Sequence, residues 1–217
     1  NVSFPTGFTT GNTTLASTST VVYLANYTQT VSSTPTYGNL TIQTEKKKKT
    51  ANGALTVAGI LTTTSPSTLS MAGNNLTLTG AYAGTGALSF TSGAFNIGGS
   101  FTNTGTYTCG TGTVTYNGAA QTVRGVNYYN LTLAGSGTKT LQAASTIGIA
   151  GTFTRGTVTV AAGATNTVLF NGGVQTMTGN ATTFVNLTIN NTSITIPADI
   201  TVGTTLTFTA GNIITGS

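Results

Sequence analysis

The chain has 217 residues, of which only 4% are charged and 38% are hydrophobic, and its formal net charge is +5. A disordered chain combines low hydrophobicity with high net charge, so this composition argues against disorder. Threonine is the most frequent residue, and glycine is also abundant. Because threonine and valine favour pleated strands and glycine favours turns, we expect an all-β protein with essentially no helix.

Residues 1–20 form the first predicted element, an N-terminal segment that matches nothing else in the chain. It contains Phe4 and Phe8 but no charged residue, and we interpret it as a capping or subunit-joining strand. The chain opens in polar, turn-rich sequence, as a mature secreted protein does, so we expect an extracellular location. The sequence contains no run of eighteen apolar residues, so it predicts no membrane-spanning helix.

Residues 21–217 form the second predicted element, a repeat domain in which three segments resemble one another. Each has a strand that runs from valine to an aromatic residue, a Gln-Thr-Val or Gln-Thr-Met triplet, and an aromatic residue before Asn-Leu-Thr-aliphatic. The triplets begin at Gln29, Gln121 and Gln175, and the later aromatic residues are Tyr37, Tyr129 and Phe184. Because the two intervals between the glutamines are close to five and three multiples of one length, the sequence predicts coils of roughly 18 residues.

A ladder of apolar residues supports a coil of this length. Its successive rungs stand about one coil apart, with small variations, at Val22, Leu40, Leu61, Leu78, Phe95, Val114, Leu131, Ile149, Leu169, Leu187 and Leu206. Around the rungs, apolar residues alternate with threonine, which is the pattern of a strand with one buried face. We therefore expect a right-handed parallel β-solenoid of about 11–12 coils, with outward rows of threonine. The alternative is an antiparallel sandwich, in which short strands recur about every 8–12 residues.

The second segment resembles a known class of repeat. Asn117-Gly118 stands before Gln121-Thr122-Val123, and Tyr129-Asn130-Leu131-Thr132-Leu133 stands before Gly135–Leu141. These motifs resemble the Thr/Gly-rich parallel β-helix repeat regions of large secreted bacterial surface and adhesin-like proteins, and the resemblance covers most of residues 20–217. Such regions are stalks or scaffolds, so the resemblance implies a structural role and carries over no active residue. The chain departs from the pattern at Glu45–Lys49.

The scarcity of titratable residues argues against catalysis, so we expect a non-enzyme without cofactor or metal. The chain has no histidine and only two carboxylates, Glu45 and Asp199, which are far apart in the sequence. With ~4.8 Å between strands, their separation along a solenoid is on the order of 40 Å. Acid–base catalysis at a sugar needs paired carboxylates, or a carboxylate with a cation or a metal, and calcium needs several oxygen ligands at one site.

One basic block stands out, and it consists of Lys46, Lys47, Lys48 and Lys49. The chain has seven cations in all and no basic stripe with interleaved aromatic residues, so we expect no nucleic-acid partner. We interpret the block as a solvated loop that bulges from one coil. The alternative is an electrostatic contact with an anionic polysaccharide, a cell surface or a neighbouring subunit.

Two further features offer binding surfaces. Of the adjacent Tyr128 and Tyr129, we expect one ring in the core and one outside, where a ring can stack on a sugar. Outward Thr-X-Thr pairs resemble the ice-binding faces of some β-solenoid antifreeze proteins, although unequal coil lengths disfavour a regular face.

The ends of the predicted solenoid carry no polar cap, although an unpaired strand edge is normally blocked by caps or charge. The apolar residues of the C-terminal coil include Leu206, Phe208, Ile213 and Ile214. We expect them to meet the first coil, or the segment with Phe4 and Phe8, of another copy. The sequence therefore predicts a subunit of an extracellular filament or surface fibre that polymerises head to tail. The alternative is a repeat segment of a monomeric adhesin with a glycan- or ice-binding threonine face.

Overall fold

A computed structural model of the chain describes residues 15–43, 48–196 and 198–216. This part is all-β without a helix, and its parallel strands stack in coils about 19 residues apart that form about 10 turns of a β-solenoid. The predicted fold class is confirmed, with slightly longer and fewer coils than expected. No helix in the described ranges is long and apolar enough to cross a membrane. Of the predicted site residues, Phe4, Phe8, Lys46 and Lys47 lie outside these ranges, as does the carboxylate residue Glu45.

The first of two compact units spans Asn1–Gly112. Its strands are β1 (Thr20–Tyr23), β2 (Gln29–Val31), β3 (Thr36–Tyr37), β4 (Asn39–Gln43), β5 (Lys48–Ala51), β6 (Leu55–Val57), β7 (Leu61–Thr64), β8 (Thr68–Ala72), β9 (Leu76–Leu78), β10 (Tyr82–Gly84), β11 (Ala87–Phe90), β12 (Ala94–Ile97) and β13 (Tyr107–Thr108). They form parallel sheets in the orders β1-β4-β7-β10, β2-β5-β8-β11-β13 and β3-β6-β9-β12. Neighbouring strands of one sheet therefore belong to successive turns of the chain.

The second compact unit spans Thr113–Ser217. Its strands are β14 (Thr113–Tyr116), β15 (Gln121–Val123), β16 (Asn127–Tyr128), β17 (Asn130–Leu133), β18 (Thr138–Leu141), β19 (Thr146–Ile149), β20 (Phe153–Arg155), β21 (Thr159–Ala161), β22 (Thr167–Phe170), β23 (Val174–Gly179), β24 (Thr182–Asn190), β25 (Ser193–Ile196), β26 (Ile200–Ala210) and β27 (Ile213–Thr215). Within the unit, the strand orders are β14-β17-β20-β23-β25-β27, β15-β18-β21 and β16-β19-β22-β24-β26.

The turns differ in length at their corners, while pairing continues along the strands. Thr113 lies opposite Asn130, and Phe153 lies opposite Met177. The turn from Phe153 to Met177 therefore contains more residues than the turn from Thr113 to Asn130. The additional residues lie between strands, where they leave the parallel pairing intact. Because the described strand pairs are parallel, the alternative of an antiparallel sandwich is wrong.

Alternation of apolar and polar residues decides which side chains fill the core. In β9, both leucines are buried and Thr77 is exposed, because successive side chains of a strand point to opposite faces. Leu131 is fully buried, and its neighbours in the adjacent turns are Val114 and Phe153. The predicted core position of Leu131 is therefore confirmed.

The predicted ladder is wrong in its register. Leu61 pairs with Leu40 and Tyr82, but Leu78, its expected next rung, pairs with Val57 in a different sheet. Most described strands of a turn point apolar residues inward, so an apolar residue lies near the expected spacing even when the sheet changes. An average period therefore identifies the coil without identifying the strand.

Candidate assembly surface

The three related segments fold into the same pair of strands on successive turns. In each pair, a Val-X-aromatic strand lies directly opposite a Leu-Thr-aliphatic strand. The pairs are β1 with β4, β14 with β17, and β22 with β24. In the first pair, Val21 lies opposite Leu40 and Tyr23 lies opposite Ile42. The sequence repeat is thus a packing unit that spans two turns.

The first two packing units contain matching pairs of buried tyrosines. The hydroxyl oxygens of Tyr23 and Tyr37 are 3.1 Å apart. Those of Tyr116 and Tyr128 are 2.8 Å apart. In each pair, the first hydroxyl accepts a hydrogen bond from a backbone N–H, and the second donates to the carbonyl of the same residue. That residue is Ser32 in the first packing unit and Arg124 in the second packing unit. Burial raises the pKa of Tyr116 to about 12 and also raises the pKa of Tyr37.

One of the two adjacent tyrosines is buried and the other is not, as predicted. Tyr128 is buried, whereas 37% of Tyr129 is exposed. The alignment of Tyr129 with Tyr37 is nevertheless wrong, because Tyr128 makes the hydroxyl contact equivalent to that of Tyr37. Tyr128 also precedes Asn130 by two residues, as Tyr37 precedes Asn39.

The basic block is divided between solvent and core where the structure describes it. Lys48 is exposed, but the next residue, Lys49, is fully buried. The Nζ atom of Lys49 donates hydrogen bonds to the carbonyl oxygens of Ala25 at 2.6 Å and Tyr27 at 2.5 Å. The prediction of Lys49 as a surface contact is therefore wrong, because its position in β5 points the side chain inward.

Lys139 is a second fully buried lysine. Its Nζ atom donates to the carbonyl oxygens of Gly118, Ala119 and Ser136. Burial lowers the pKa of both Lys49 and Lys139, while the surrounding carbonyls offer the hydrogen bonds that an ammonium group requires. Both amines are structural groups that satisfy backbone carbonyls of a corner in the preceding turn, and Lys139 also satisfies that of Ser136 in its own turn.

The glutamine of the repeated triplet supports the same corners. Gln121 Oε1 accepts a hydrogen bond from the N–H of Gly118 at 2.8 Å. Gln175 Oε1 accepts a hydrogen bond from the N–H of Gly172 at 2.9 Å. Gln175 Nε2 also donates to the carbonyl oxygen of Ile149 in the preceding turn. Gln121 and Gln175 therefore each fix a glycine-containing corner, and Gln175 also joins its corner to the turn before.

The terminal turn, which we define as β26 and β27, carries the predicted C-terminal interface residues. β26 pairs with β24 and β27 pairs with β25, and no other described strand pairs with either. Leu206 is 44% exposed, Phe208 51% and Ile214 45%, while Ile213 is half-buried. A cavity of about 270 Å³ opens beside this turn, and its lining includes Ile196, Ile200 and Ile213. The structure thus places the predicted C-terminal interface residues on one turn.

The most regular outward threonines lie on β14, β17, β20 and β23. Pairing places Thr115, Thr132, Thr154 and Thr178 opposite one another on consecutive turns. Their side chains are half-buried, and Thr178 Oγ1 donates to Thr154 Oγ1 at 3.0 Å. We call these four residues the threonine row.

The described residues contain one side-chain carboxylate, that of Asp199, which is exposed in the corner before β26. No described group of three or more His, Cys, Asp or Glu residues has the arrangement to hold a metal ion. The absence of an enzymatic activity stays a prediction.

Comparison with known proteins gives no relative for this chain. No family model matches it, no curated protein matches it, and no solved structure matches it.

Proposed function

We propose that this chain is a structural protein, a subunit of an extracellular filament or surface fibre that grows by end-to-end stacking of β-solenoids. The observation that carries the proposal is the parallel stacking of β26 on β24, with Leu206 and Phe208 partly exposed on this edge of the described sheet. The backbone N–H and C=O groups of such an edge are a template for another strand. The proposal assigns the chain no catalytic step, cofactor or metal.

The polarity of a parallel stack favours a second copy as that neighbour. Each sheet has two different edges, and a strand that continues the parallel stack at either edge must run in the same direction. Among the described residues, β1 begins one sheet of the first unit and β26 ends one sheet of the second. Contact between unlike edges is heterologous, so it has no built-in stop and makes open fibres. With only 4% charged residues, little repulsion opposes it.

Sedimentation and electron microscopy of the purified 217-residue protein test the proposal. We expect fibres whose sedimentation persists at high salt, because the joint is mainly apolar and salt screens only charged contacts. Phe208→Lys places a charge on the terminal turn and should leave folded monomers. Thr122→Lys adds the same charge to an exposed strand position away from that turn, and it should still assemble. Monomers at high concentration would contradict the proposal, as would full assembly of Phe208→Lys.

The predicted role of the N-terminal segment can be tested in the same assay. Deletion of residues 1–14 should give folded protein that no longer polymerises, because this segment is proposed to contact the terminal turn of another copy. Circular dichroism checks the fold, and sedimentation beside the full chain checks assembly. Unchanged fibres from the truncated protein would exclude this segment from the joint.

A second candidate function is a repeat segment of an adhesin, and the threonine row favours it. Four uncharged hydroxyls on consecutive turns form a regular surface, which is the kind of face that can bind a glycan or ice. Thr132→Lys should abolish binding to a glycan array or inhibition of ice recrystallisation, while circular dichroism shows that the variant keeps its fold. Wild-type protein inactive in both assays would remove this candidate.

A further inference from the structure

Three corners of the solenoid share the dipeptide Asn-Gly. They are Asn52-Gly53, Asn117-Gly118 and Asn171-Gly172. Each asparagine directly follows a strand, namely β5, β14 or β22, and each is exposed. In this dipeptide the asparagine side chain can react with the next backbone nitrogen, because glycine has no Cβ to hinder the approach. The three corners can therefore be compared as sites of one reaction.

That reaction is deamidation through a cyclic imide. The backbone nitrogen of the glycine loses its proton and attacks Cγ of the asparagine, so that a new C–N bond forms. The bond from Cγ to the side-chain nitrogen breaks, and this nitrogen leaves with the proton as ammonia. Water then opens the ring at either carbonyl, which gives aspartate or isoaspartate. The net reaction exchanges one ammonia for one water, without an oxidant or a reductant.

Glutamines hold the attacking nitrogen at two of the three corners. The N–H of Gly118 donates to Gln121 Oε1, and the N–H of Gly172 donates to Gln175 Oε1. Both glutamine side chains are buried, so these acceptors are fixed in place. The glycine nitrogen must break its hydrogen bond before it can lose its proton and turn towards Cγ. The bond therefore keeps the reacting atoms away from the geometry of attack.

The corner at Asn52 has the opposite arrangement. Among the described residues, none accepts a hydrogen bond from the N–H of Gly53. Instead, Oδ1 of Asn52 accepts a hydrogen bond from the N–H of Ser33 at 2.8 Å. Negative charge develops on this oxygen when Cγ is attacked, and a donor N–H at that position stabilises it. The structure thus leaves the attacking nitrogen unrestrained and polarises the group that it attacks.

We infer that Asn52 is the site at which the folded protein deamidates. Gln121 and Gln175 protect the other two Asn-Gly corners from the same reaction. Each event replaces a neutral amide by a carboxylate and lowers the formal net charge of +5 by one. This modification of a single chain does not depend on end-to-end assembly.

Incubation of the folded wild-type protein at mildly alkaline pH tests the site. Proteolysis and tandem mass spectrometry then measure the acid formed at each corner. We expect Asn52 to react at least about tenfold faster than Asn117 or Asn171. The control is the same incubation in guanidinium chloride, where the three sites should react at similar rates because they share one dipeptide. Equal rates in the folded protein, or fastest reaction at Asn117 or Asn171, would overturn the inference.

Substitution of Gln121 tests the protecting group. Gln121→Leu removes the acceptor at Gly118 and should raise the rate at Asn117 about tenfold, while an unchanged rate at Asn171 shows that the fold is kept. Gln121→Glu retains an acceptor oxygen and should keep Asn117 protected. An unchanged rate at Asn117 in folded Gln121→Leu would overturn the protective role. If Gln121→Leu unfolds, both rates rise together, and loss of protection in folded Gln121→Glu would then overturn that role.

Discussion

Lys49 and Lys48 allow the contribution of a buried amine to be measured against a neighbour of the same chemistry. Lys49→Met keeps the aliphatic stem but removes the group that donates to the carbonyls of Ala25 and Tyr27. Hydrogen bonds to a charged donor contribute about 1.5–3 kcal/mol each, and part of that loss is offset because no charge remains buried. We expect a loss of about 2–4 kcal/mol in the free energy of unfolding.

The assay is denaturation by urea followed by circular dichroism, with Lys48→Met as the matched control. Lys48 is exposed in the same strand, so its substitution should stay within the roughly 0.5 kcal/mol of surface changes. Burial lowers the pKa of Lys49 below its ordinary value of 10.5, so between the two pKa values the unfolded chain binds more protons. Wild-type stability should therefore rise with pH through that window, relative to Lys49→Met. Equal destabilisation by the two substitutions would refute the role assigned to the buried amine.

Three further predictions use the core, the tyrosines and the carboxylates. Leu131→Asp buries an unpaired charge and should prevent folding, whereas Thr132→Asp on the outward face should fold, as circular dichroism of the two variants will show. Because burial raises the pKa of Tyr116 to about 12, its contribution to stability is present below pH 10 and is lost between about pH 10 and 12. Tyr116→Phe should flatten that part of the stability profile. Glu45→Gln and Asp199→Asn should leave fibre formation unchanged, and loss of a measured hydrolase or lyase activity in either would contradict the non-enzyme prediction.

The sequence predicts the fold well because the pattern of apolar residues, threonine and glycine corners recurs in every turn. It identifies Leu131 as core and groups Leu206, Phe208 and the C-terminal isoleucines on one turn. It does not predict the buried position of Lys49, because lysine is rarely fully buried and only the strand register decides which of two adjacent lysines points inward. That register depends on corner lengths, which an average period conceals.

Corners that vary from turn to turn while their strands stay paired affect how such a chain can evolve. The step from Phe153 to Met177 is longer than the step from Thr113 to Asn130, and both flank intact parallel strands. Short duplications and deletions in the coding sequence can therefore accumulate at corners without loss of the scaffold. A corner such as the one between β18 and β19, where Gln142, Ala143 and Ala144 are exposed, is accordingly a position where a peptide epitope could be inserted for display.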